Sequence, residues 1–299
     1  MTMQSVEVTT RLDSAHTSSV MQLIASAEAA SGFRPVSDQF WLDLASTSDD
    51  LVRVLIHNAD LIVYAQAATI GDGHWSVELV VEPTTDHQSV RLTQTALGAI
   101  VDAVRHRGGT SLSWLVFAPA ANHMQVAEHF GLKPTRRLYQ MTRSLPTGLT
   151  YNVVTRAFVP GKDDDAWLRV NQRAFAWNPE QGGWTAQSLR TRMAEPWFDT
   201  SGFLLHEREG RLAGFCWTKV HASSRPVIGE IYVIAVDPDF HGLGLGRALT
   251  LAGLDHLAGR GITHSMLFVD ADNTSAVTLY ESLGFAVHRT DCIFHGPII

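Results

Sequence analysis

The chain has 299 residues, of which 45% are hydrophobic and 18% are charged, the composition of an ordinary globular protein. Its net charge of -7 disfavours partners that select a basic surface, so we expect neither nucleic acid nor an anionic membrane as a partner. No apolar run approaches the roughly 20 residues of a membrane span, and the first residues lack the basic and apolar parts of a signal peptide. We therefore expect a cytoplasmic location.

Residues that commonly bind metals are scattered along the sequence. Cys216 and Cys292 are the two cysteines, and neither they nor the 14 histidines show the spacing of a metal or redox site. We therefore expect no metal.

The first half alternates between strand-like and helix-like apolar patterns. The predicted strands are 6–12, 51–56, 61–68, 75–81, 112–117 and 136–141. The predicted helices are 17–30, 37–44, 92–105 and 124–130. Two of these strands flank the turn-forming residues 58–60, which predicts a hairpin.

The second half repeats this order after a break. Pro146 and Gly148 predict a linker at 144–150, between one domain at 1–143 and another at 151–299. The predicted strands are 153–158, 203–206, 212–220, 231–236, 265–269 and 286–294. The predicted helices are 164–175, 185–193, one that ends at 258, and 273–283, for which Asn273 fits as the cap. The recurring order indicates two copies of one α/β fold, each a mixed sheet largely covered by helices.

A glycine-rich stretch follows the strand 231–236. Asp237-Pro238 ends that strand, and three glycines, at alternate positions from 242 to 246, come before a helical pattern. Glycines let backbone N–H groups converge, and a first helical turn adds unpaired donors and partial positive charge. The stretch therefore predicts a phosphate site. A dinucleotide loop would need G-x-G-x-x-G, and a Walker loop would need Gly-Lys-Ser/Thr, so neither is favoured.

Two segments carry a family resemblance. Residues 241–246, His-Gly-Leu-Gly-Leu-Gly, resemble the pyrophosphate loop of the GNAT acetyltransferase superfamily, with His241 where Gln or Arg is usual. Residues 273–285 resemble that family's Asn-x-x-Ala-x-x-x-Tyr-x-x-x-Gly-Phe pattern throughout. The resemblance implies tandem GNAT acetyltransferase domains, an α/β fold of the α+β, mixed-sheet kind, with acetyl-CoA as co-substrate.

The same resemblance implies which residues hold the coenzyme. They belong to the strand end, the glycine loop and the later helix: Ile234, Ala235, Val236, His241, Gly242, Leu243, Gly244, Leu245, Gly246, Arg247, Asn273, Thr274, Ser275, Ala276, Val277 and Thr278.

Acetyl transfer to an amine needs a group that takes a proton from the amine and a group that protonates the leaving thiolate. Glu230 opens the strand before the loop, where the family usually has its base, and the resemblance implies that role. Tyr280 stands at the family's Tyr and is the implied acid. The alternative for Glu230 is an exposed carboxylate at a strand end. The alternative for Tyr280 is a side chain that only packs on the apolar face of an amphipathic helix.

The first copy departs from the motif, because Ser89 and Arg91 stand where glycines would let the backbone approach phosphate. We expect a degenerate N-terminal domain that serves as scaffold. Any coenzyme that still bound there would lie along Leu79, Val80 and Val81.

Residues 169–185 closely resemble a loop of the mycothiol synthase family, including Pro-Glu-Gln-Gly-Gly-Trp-Thr at 179–185. The resemblance is dense over the second half and thin over the first. It implies acetylation of the cysteine amine of the cysteinyl-glucosaminyl-inositol precursor of mycothiol. It places Asp38, Glu180, Lys219, Glu230 and Phe268 at substrate positions.

Three of these assignments carry reservations. Asp38 replaces a Glu of the family, and Phe268 replaces a Tyr, so a hydroxyl contact is lost there. Lys219 has an alternative as a solvated lysine at a strand end.

Two other functions stay open. One is acetylation of another amine, such as a polyamine, an aminoglycoside or a protein N-terminus, and the loop around Glu180 disfavours it. The other is a non-catalytic acetyl-CoA sensor, and the presence of both Glu230 and Tyr280 disfavours it. We expect a monomer that acts on a small molecule.

Overall fold

The computed structural model describes residues 4–222 and 224–298, apart from the side chains of Pro179 and Glu180. The chain divides into two compact units, an N-terminal unit of Met1–Arg137 with Thr290–Ile299 and a C-terminal unit of Leu138–Arg289. Among the described helices, none combines the length and the apolar character that crossing a membrane requires.

The first half of the chain contains six strands and four helices among the described residues. The strands are β1 (Ser5–Thr9), β2 (Leu51–Asn58), β3 (Asp60–Gly71), β4 (His74–Val81), β5 (Ser111–Val116) and β6 (Lys133–Ser144). The helices are α1 (Ser14–Ser31), α2 (Asp38–Asp43), α3 (Asp86–Arg105) and α4 (Ala121–His129).

The second half contains six more strands and five α-helices among the described residues. The strands are β7 (Arg156–Ala157), β8 (Phe203–Arg208), β9 (Arg211–His221), β10 (Ile228–Val236), β11 (His264–Asp270) and β12 (Ala286–Pro297). The helices are α5 (Asp164–Ala174), α6 (Pro179–Gly182), α7 (Ala186–Met193), α8 (Leu245–Gly259) and α9 (Thr274–Ser282).

Both units have the same strand order. The order is β1-β2-β3-β4-β5-β12 in the N-terminal unit and β7-β8-β9-β10-β11-β6 in the C-terminal unit. In each unit one pair is parallel, β4 with β5 and β10 with β11, and its neighbours are antiparallel. The mixed α/β fold class is therefore confirmed.

The bounds of the units differ from those of the predicted domains because two strands exchange places. Residues 138–144 of β6 pair with β11 of the C-terminal unit, whereas residues 292–297 of β12 pair with β5 of the N-terminal unit. The predicted linker falls just after β6, where residues 145–155 form neither helix nor strand. The domain bounds that the repeat indicates stay a prediction.

Two apolar clusters cover the two faces of β10. Ile231 packs in one cluster with Leu249 and Leu254 of α8. Val233 packs in the other cluster with Trp217 of β9 and Trp167 of α5. A bulge between Ile231 and Val233 interrupts the alternation of the strand, so these two residues lie on opposite faces and β10 is buried on both.

Helix α5 is fastened to the sheet by Asp163, which immediately precedes it. Both oxygens of Asp163 accept hydrogen bonds from Arg156 of β7, at 2.7 and 2.9 Å, and one also accepts the Val159 N–H at 2.8 Å. The hydrogen bonds from Arg156 are the largest of the effects that hold the pKa of Asp163 below its ordinary value of 3.8. The carboxylate is buried, whereas Arg156 is partly exposed.

We predict that Asp163→Asn lowers the free energy of unfolding by roughly 1–3 kcal/mol at pH 7, because Arg156 and the Val159 N–H lose a buried, charged acceptor. Folding lowers the pKa of Asp163. The stabilisation that its carboxylate provides is therefore complete above pH 3.8 and is lost as the pH falls through the folded-state pKa. Urea unfolding of both proteins from pH 7 down to pH 2, below the ordinary pKa of 3.8, measures it. Asp165→Asn, at an exposed site on the same helix, is the control. A difference that stays constant with pH would contradict the prediction.

Candidate active site

The parallel pair β10 and β11 separates part-way along its length. The paired register runs from Ile228 opposite His264 to Ile231 opposite Leu267, and in the described part of the chain it stops there. The pairing of β10 with β9 continues to Val236. A bulge falls between Ile231 and Val233 in that pairing. The separated edge of β10 can therefore accept an extended ligand as an added strand.

The bulge changes which side chains share a face. Tyr232 and Val233 are neighbours in sequence, and both pack against the aromatic cluster that contains Trp217. A regular strand would send one of them to the opposite face. The bulge thus marks the point where β10 turns away from β11.

The glycine loop connects the end of β10 to α8. Gly242 and Gly244 have left-handed φ angles of +79° and +72°. Apart from their own chain neighbours, no described residue has an atom within 4 Å of a Cβ built on either glycine. Gly244 is the N-cap of α8 and offers no side chain to the first-turn amides. These amides are unpaired donors at the positive end of the helix dipole. The loop therefore fits the pyrophosphate of coenzyme A.

The ring of His241 turns back towards the strand. Its Nε2 lies 3.1 Å from the Val236 carbonyl oxygen, to which a ring N–H can donate. In this structure His241 ties the loop to the strand end, whereas the resemblance implies that it holds the coenzyme.

Helix α9 lies beside the start of α8. The Asn273 side chain caps α9 by accepting the Ala276 N–H at 3.1 Å, as the sequence predicts. Arg247 of α8 donates to the Ser282 hydroxyl at 3.4 Å. A Cβ on Gly246 would lie 3.6 Å from Leu279, so a small residue there lets the two helices approach closely.

Tyr280 of α9 is buried among apolar side chains. It belongs to the cluster that contains Ile231 and Leu249, and its ring meets Phe285 edge-on. Burial, followed by the nearby Cys216, raises the pKa of Tyr280 above its ordinary value of 10.0. The hydroxyl therefore keeps its proton near neutral pH, as a proton donor must. Tyr280 also packs against apolar neighbours, which is the alternative role that the amphipathic pattern of the helix predicts.

Glu230 is a buried carboxylate at the start of β10. Its side chain is 8% exposed, and its Oε2 lies 2.7 Å from Nε2 of His221. Glu230 is paired with Lys219 and Ile228 is paired with His221 in the antiparallel register, so these side chains share one face. The alternative of an exposed strand-end carboxylate is therefore wrong.

Lys219 is also buried, and the alternative of a solvated lysine is wrong. The residue is 5% exposed. Its Nζ lies 4.7 Å from the ring centroid of Trp197 and 5.1 Å from that of Tyr232, within the range of cation–π attraction. Arg192 adds a second cation, because its Nε donates to the Tyr232 hydroxyl at 3.1 Å. Lys219 is thus a buried cation paired with Glu230 across the strands, and aromatic rings from inside and outside the sheet surround it.

The other three predicted substrate residues have surroundings of different kinds. Phe268 of β11 is 41% exposed, and the Arg289 guanidinium lies 6.0 Å from its ring centroid. Asp38 begins α2 in the N-terminal unit and accepts a hydrogen bond from Arg34 at 2.5 Å. Glu180 belongs to α6, but its side chain lies outside the described residues.

The loop that contains Glu180 is anchored to α5. Asn171 is fully buried, and its side chain donates to the Gln181 carbonyl oxygen at 2.7 Å. The Gln181 side chain donates in return to the Asn171 side-chain oxygen at 3.1 Å. Two polar contacts to a buried side chain therefore hold the segment next to Glu180 in one conformation.

The N-terminal unit contains a cavity where its own parallel pair separates. The register of β4 with β5 covers residues 74–77 and 111–114, and beyond it lies a cavity of 290 Å³. Leu79, Val80 and Val81 line this cavity on one side. Helix α3 begins at Asp86, six residues before the predicted start, because no glycine interrupts this segment. Ser89 and Arg91 therefore belong to the helix, which is longer at its start than the predicted 92–105.

A group of three potential metal ligands occurs in the N-terminal unit. Ligand atoms of Glu7, His16 and His57 lie within 4.8 Å of one another, at residues that are exposed or half-buried. The expectation that the protein binds no metal stays a prediction.

The separated parallel strands, the bulge and the glycine loop at a helix start together define an acetyltransferase of the GNAT class. The sequence model of the Acetyltransferase (GNAT) family matches residues 169–285. A tandem GNAT protein from the clavulanic acid biosynthesis pathway has the same fold, with a TM-score of 0.74 at 14% identity over 99% of both chains. A GCN5-related N-acetyltransferase from Sphaerobacter thermophilus superimposes with a TM-score of 0.70 at 21% identity, covering 98% of this chain and 96% of that one.

In amino-acid sequence, the chain is more similar to a narrower group of acetyltransferases than to these two structures. The mycothiol acetyltransferase of Streptomyces griseus subsp. griseus is 43% identical over 296 residues, which cover 95% of this chain and 92% of the relative. That of Nocardia farcinica is 39% identical over 301 residues, 97% of each chain. The chain therefore belongs to the mycothiol acetyltransferase family, as the sequence predicted, and it is an acetyltransferase.

We predict that Gly244→Val weakens coenzyme A binding by more than about tenfold, the worth of a hydrogen bond to a charged group. A β-branched residue is strained at a left-handed φ, and its side chain would occupy the space in front of the first-turn amides. Isothermal titration calorimetry with coenzyme A measures the effect.

Gly259→Ala is the matched control, because this glycine of the same helix has no atom within 4 Å of an added Cβ and no left-handed φ. It should leave affinity unchanged. Unchanged affinity of Gly244→Val would mean that the phosphates bind elsewhere.

Proposed function

We propose that the protein transfers the acetyl group of acetyl-CoA to the cysteine amine of cysteinyl-glucosaminyl-inositol, the last step of mycothiol biosynthesis. The relatives are named mycothiol acetyltransferases, which supports mycothiol as the product. The family resemblance of residues 169–185 supports cysteinyl-glucosaminyl-inositol as the acceptor. One observation carries the proposal. A single strand, β10, has a buried carboxylate at its start and leads into an anion-binding helix start after its end.

The coenzyme is held along the separated edge of β10. The backbone N–H groups of the first turn of α8 bind the pyrophosphate, and Arg247 adds positive charge. Residues 234–236 pair with the extended arm through their backbone, and residues 273–278 flank it. When bound, acetyl-CoA supplies an activated acetyl group as a thioester.

Glu230 acts as the general base. An α-amine has a pKa of about 7.7–8.0, so at neutral pH most of it carries a proton that must be removed before attack. The Glu230 carboxylate, directly or through a water molecule, takes that proton. Tyr280 acts as the general acid, and its buried hydroxyl holds the proton that the leaving sulfur requires.

Substrate contacts are assigned from the family resemblance. Lys219 is a fixed, buried cation beside Glu230, which supports its role in binding a hydroxyl-rich acceptor. Asp38, Glu180 and Phe268 rest on the resemblance alone. Coenzyme binding along residues 79–81 is supported by the cavity in the N-terminal unit. The monomeric state and the cytoplasmic location stay predictions.

The assay that tests this function follows CoA release from acetyl-CoA in the presence of the cysteinyl-glucosaminyl-inositol acceptor. We expect faster turnover than with a polyamine, an aminoglycoside or a peptide N-terminus. Preference for one of those amines would contradict the proposed substrate. Coenzyme binding without turnover of any amine would support the sensor instead.

We predict that Glu230→Gln lowers kcat at pH 7 by about 10²- to 10⁴-fold, the range of general base catalysis. Part of the loss should be recovered as the pH rises, because solvent then deprotonates the amine. The pH dependence of kcat for both proteins measures this. Glu209→Gln is the control, since Glu209 lies exposed in the turn between β8 and β9. Wild-type kcat with an unchanged pH profile would exclude Glu230 as the base.

A further inference from the structure

The contact between His221 and Glu230 joins the end of β9 to the start of β10. Nε2 of His221 lies 2.7 Å from Oε2 of Glu230. The His221 side chain is 19% exposed and the Glu230 side chain is 8% exposed. No local sequence pattern selects His221, because only the antiparallel register brings it beside Glu230, nine positions away in the sequence.

The chemistry of the two groups fixes the direction of the hydrogen bond. An ionised carboxylate accepts hydrogen bonds only, so Nε2 must carry the proton and donate it. A base must be ionised before it can take a proton, which makes this the arrangement that precedes the reaction. Hydrogen bonds to charged groups are roughly twice as strong as neutral ones, and burial strengthens them further.

The hydrogen bond also restricts the Glu230 side chain. A glutamate side chain has three rotatable bonds, and an unheld carboxylate would sample several orientations. The backbone of β10 is fixed by its pairing on both sides at residues 228–231. With the backbone fixed, the contact with His221 selects one orientation of the carboxylate.

We propose that His221 is a positioning residue for acetyl transfer. Its Nε2–H holds the Glu230 carboxylate in one orientation, aimed at the acceptor amine. This inference rests on the proposed role of Glu230 as general base. His221 acts through Glu230 and itself exchanges no proton with the substrate.

Two substitutions of His221 distinguish a role in holding the Glu230 carboxylate from a role in proton transfer. His221→Ala removes the donor, and we expect kcat to fall by about 10- to 100-fold, the worth of a hydrogen bond to a charged group. The KM for acetyl-CoA should stay within about twofold, because no coenzyme contact changes. His221→Gln keeps an N–H donor at similar reach but cannot titrate, and it should recover kcat to within about threefold of wild type.

A double-mutant cycle tests whether His221 works through Glu230. In the Glu230→Gln background no carboxylate remains to be aimed, so adding His221→Ala should lower kcat by less than about twofold further. His206→Ala is the matched control, because His206 of the neighbouring strand β8 bonds a backbone carbonyl, that of Val154, at 2.9 Å. It should leave kcat unchanged in both backgrounds.

The outcomes separate this inference from the proposed function. Wild-type activity of Glu230→Gln would remove the base itself. Impaired Glu230→Gln together with wild-type activity of His221→Ala would overturn only the inference. Equal impairment of His221→Gln and His221→Ala would also overturn it, and so would additive losses of kcat in the double-mutant cycle. Either result would give His221 a role other than holding the carboxylate. If His221→Ala does not fold, His221→Leu takes its place.

Discussion

The separation of β10 from β11 after Ile231 is the constraint on which the site depends. Up to that residue the two strands pair in parallel, and beyond it β10 keeps its pairing with β9 among the described residues. Because the bulge at Tyr232 coincides with the separation, the strand changes direction without losing its place in the core. An open strand edge and the amides of α8 then lie in one continuous run of chain.

Burial divides the chemical groups between the two faces of this strand. Glu230 lies with His221 and Lys219 among polar and aromatic side chains, where a charge can be held by hydrogen bonds. Tyr280 packs in the apolar cluster that contains Ile231, where burial keeps its hydroxyl protonated. One strand therefore separates a polar, hydrogen-bonded carboxylate from a hydroxyl buried among apolar side chains.

Local features could be predicted from the sequence, whereas features that depend on strand pairing could not. The glycine loop and the Asn273 cap were identified from the sequence because each depends on only a few consecutive residues. The exchange of β6 and β12 between the units was missed, since no local pattern specifies a partner strand. His221 was missed for the same reason. The early start of α3 was missed because the apolar pattern that predicts this helix begins only at Leu92.

A crystal structure of the protein with coenzyme A tests the central claim most directly. The account predicts pyrophosphate oxygens within hydrogen-bonding distance of the first-turn N–H groups of α8, with the extended arm along residues 234–236. Coenzyme bound only along residues 79–81, with no density at the start of α8, would contradict it.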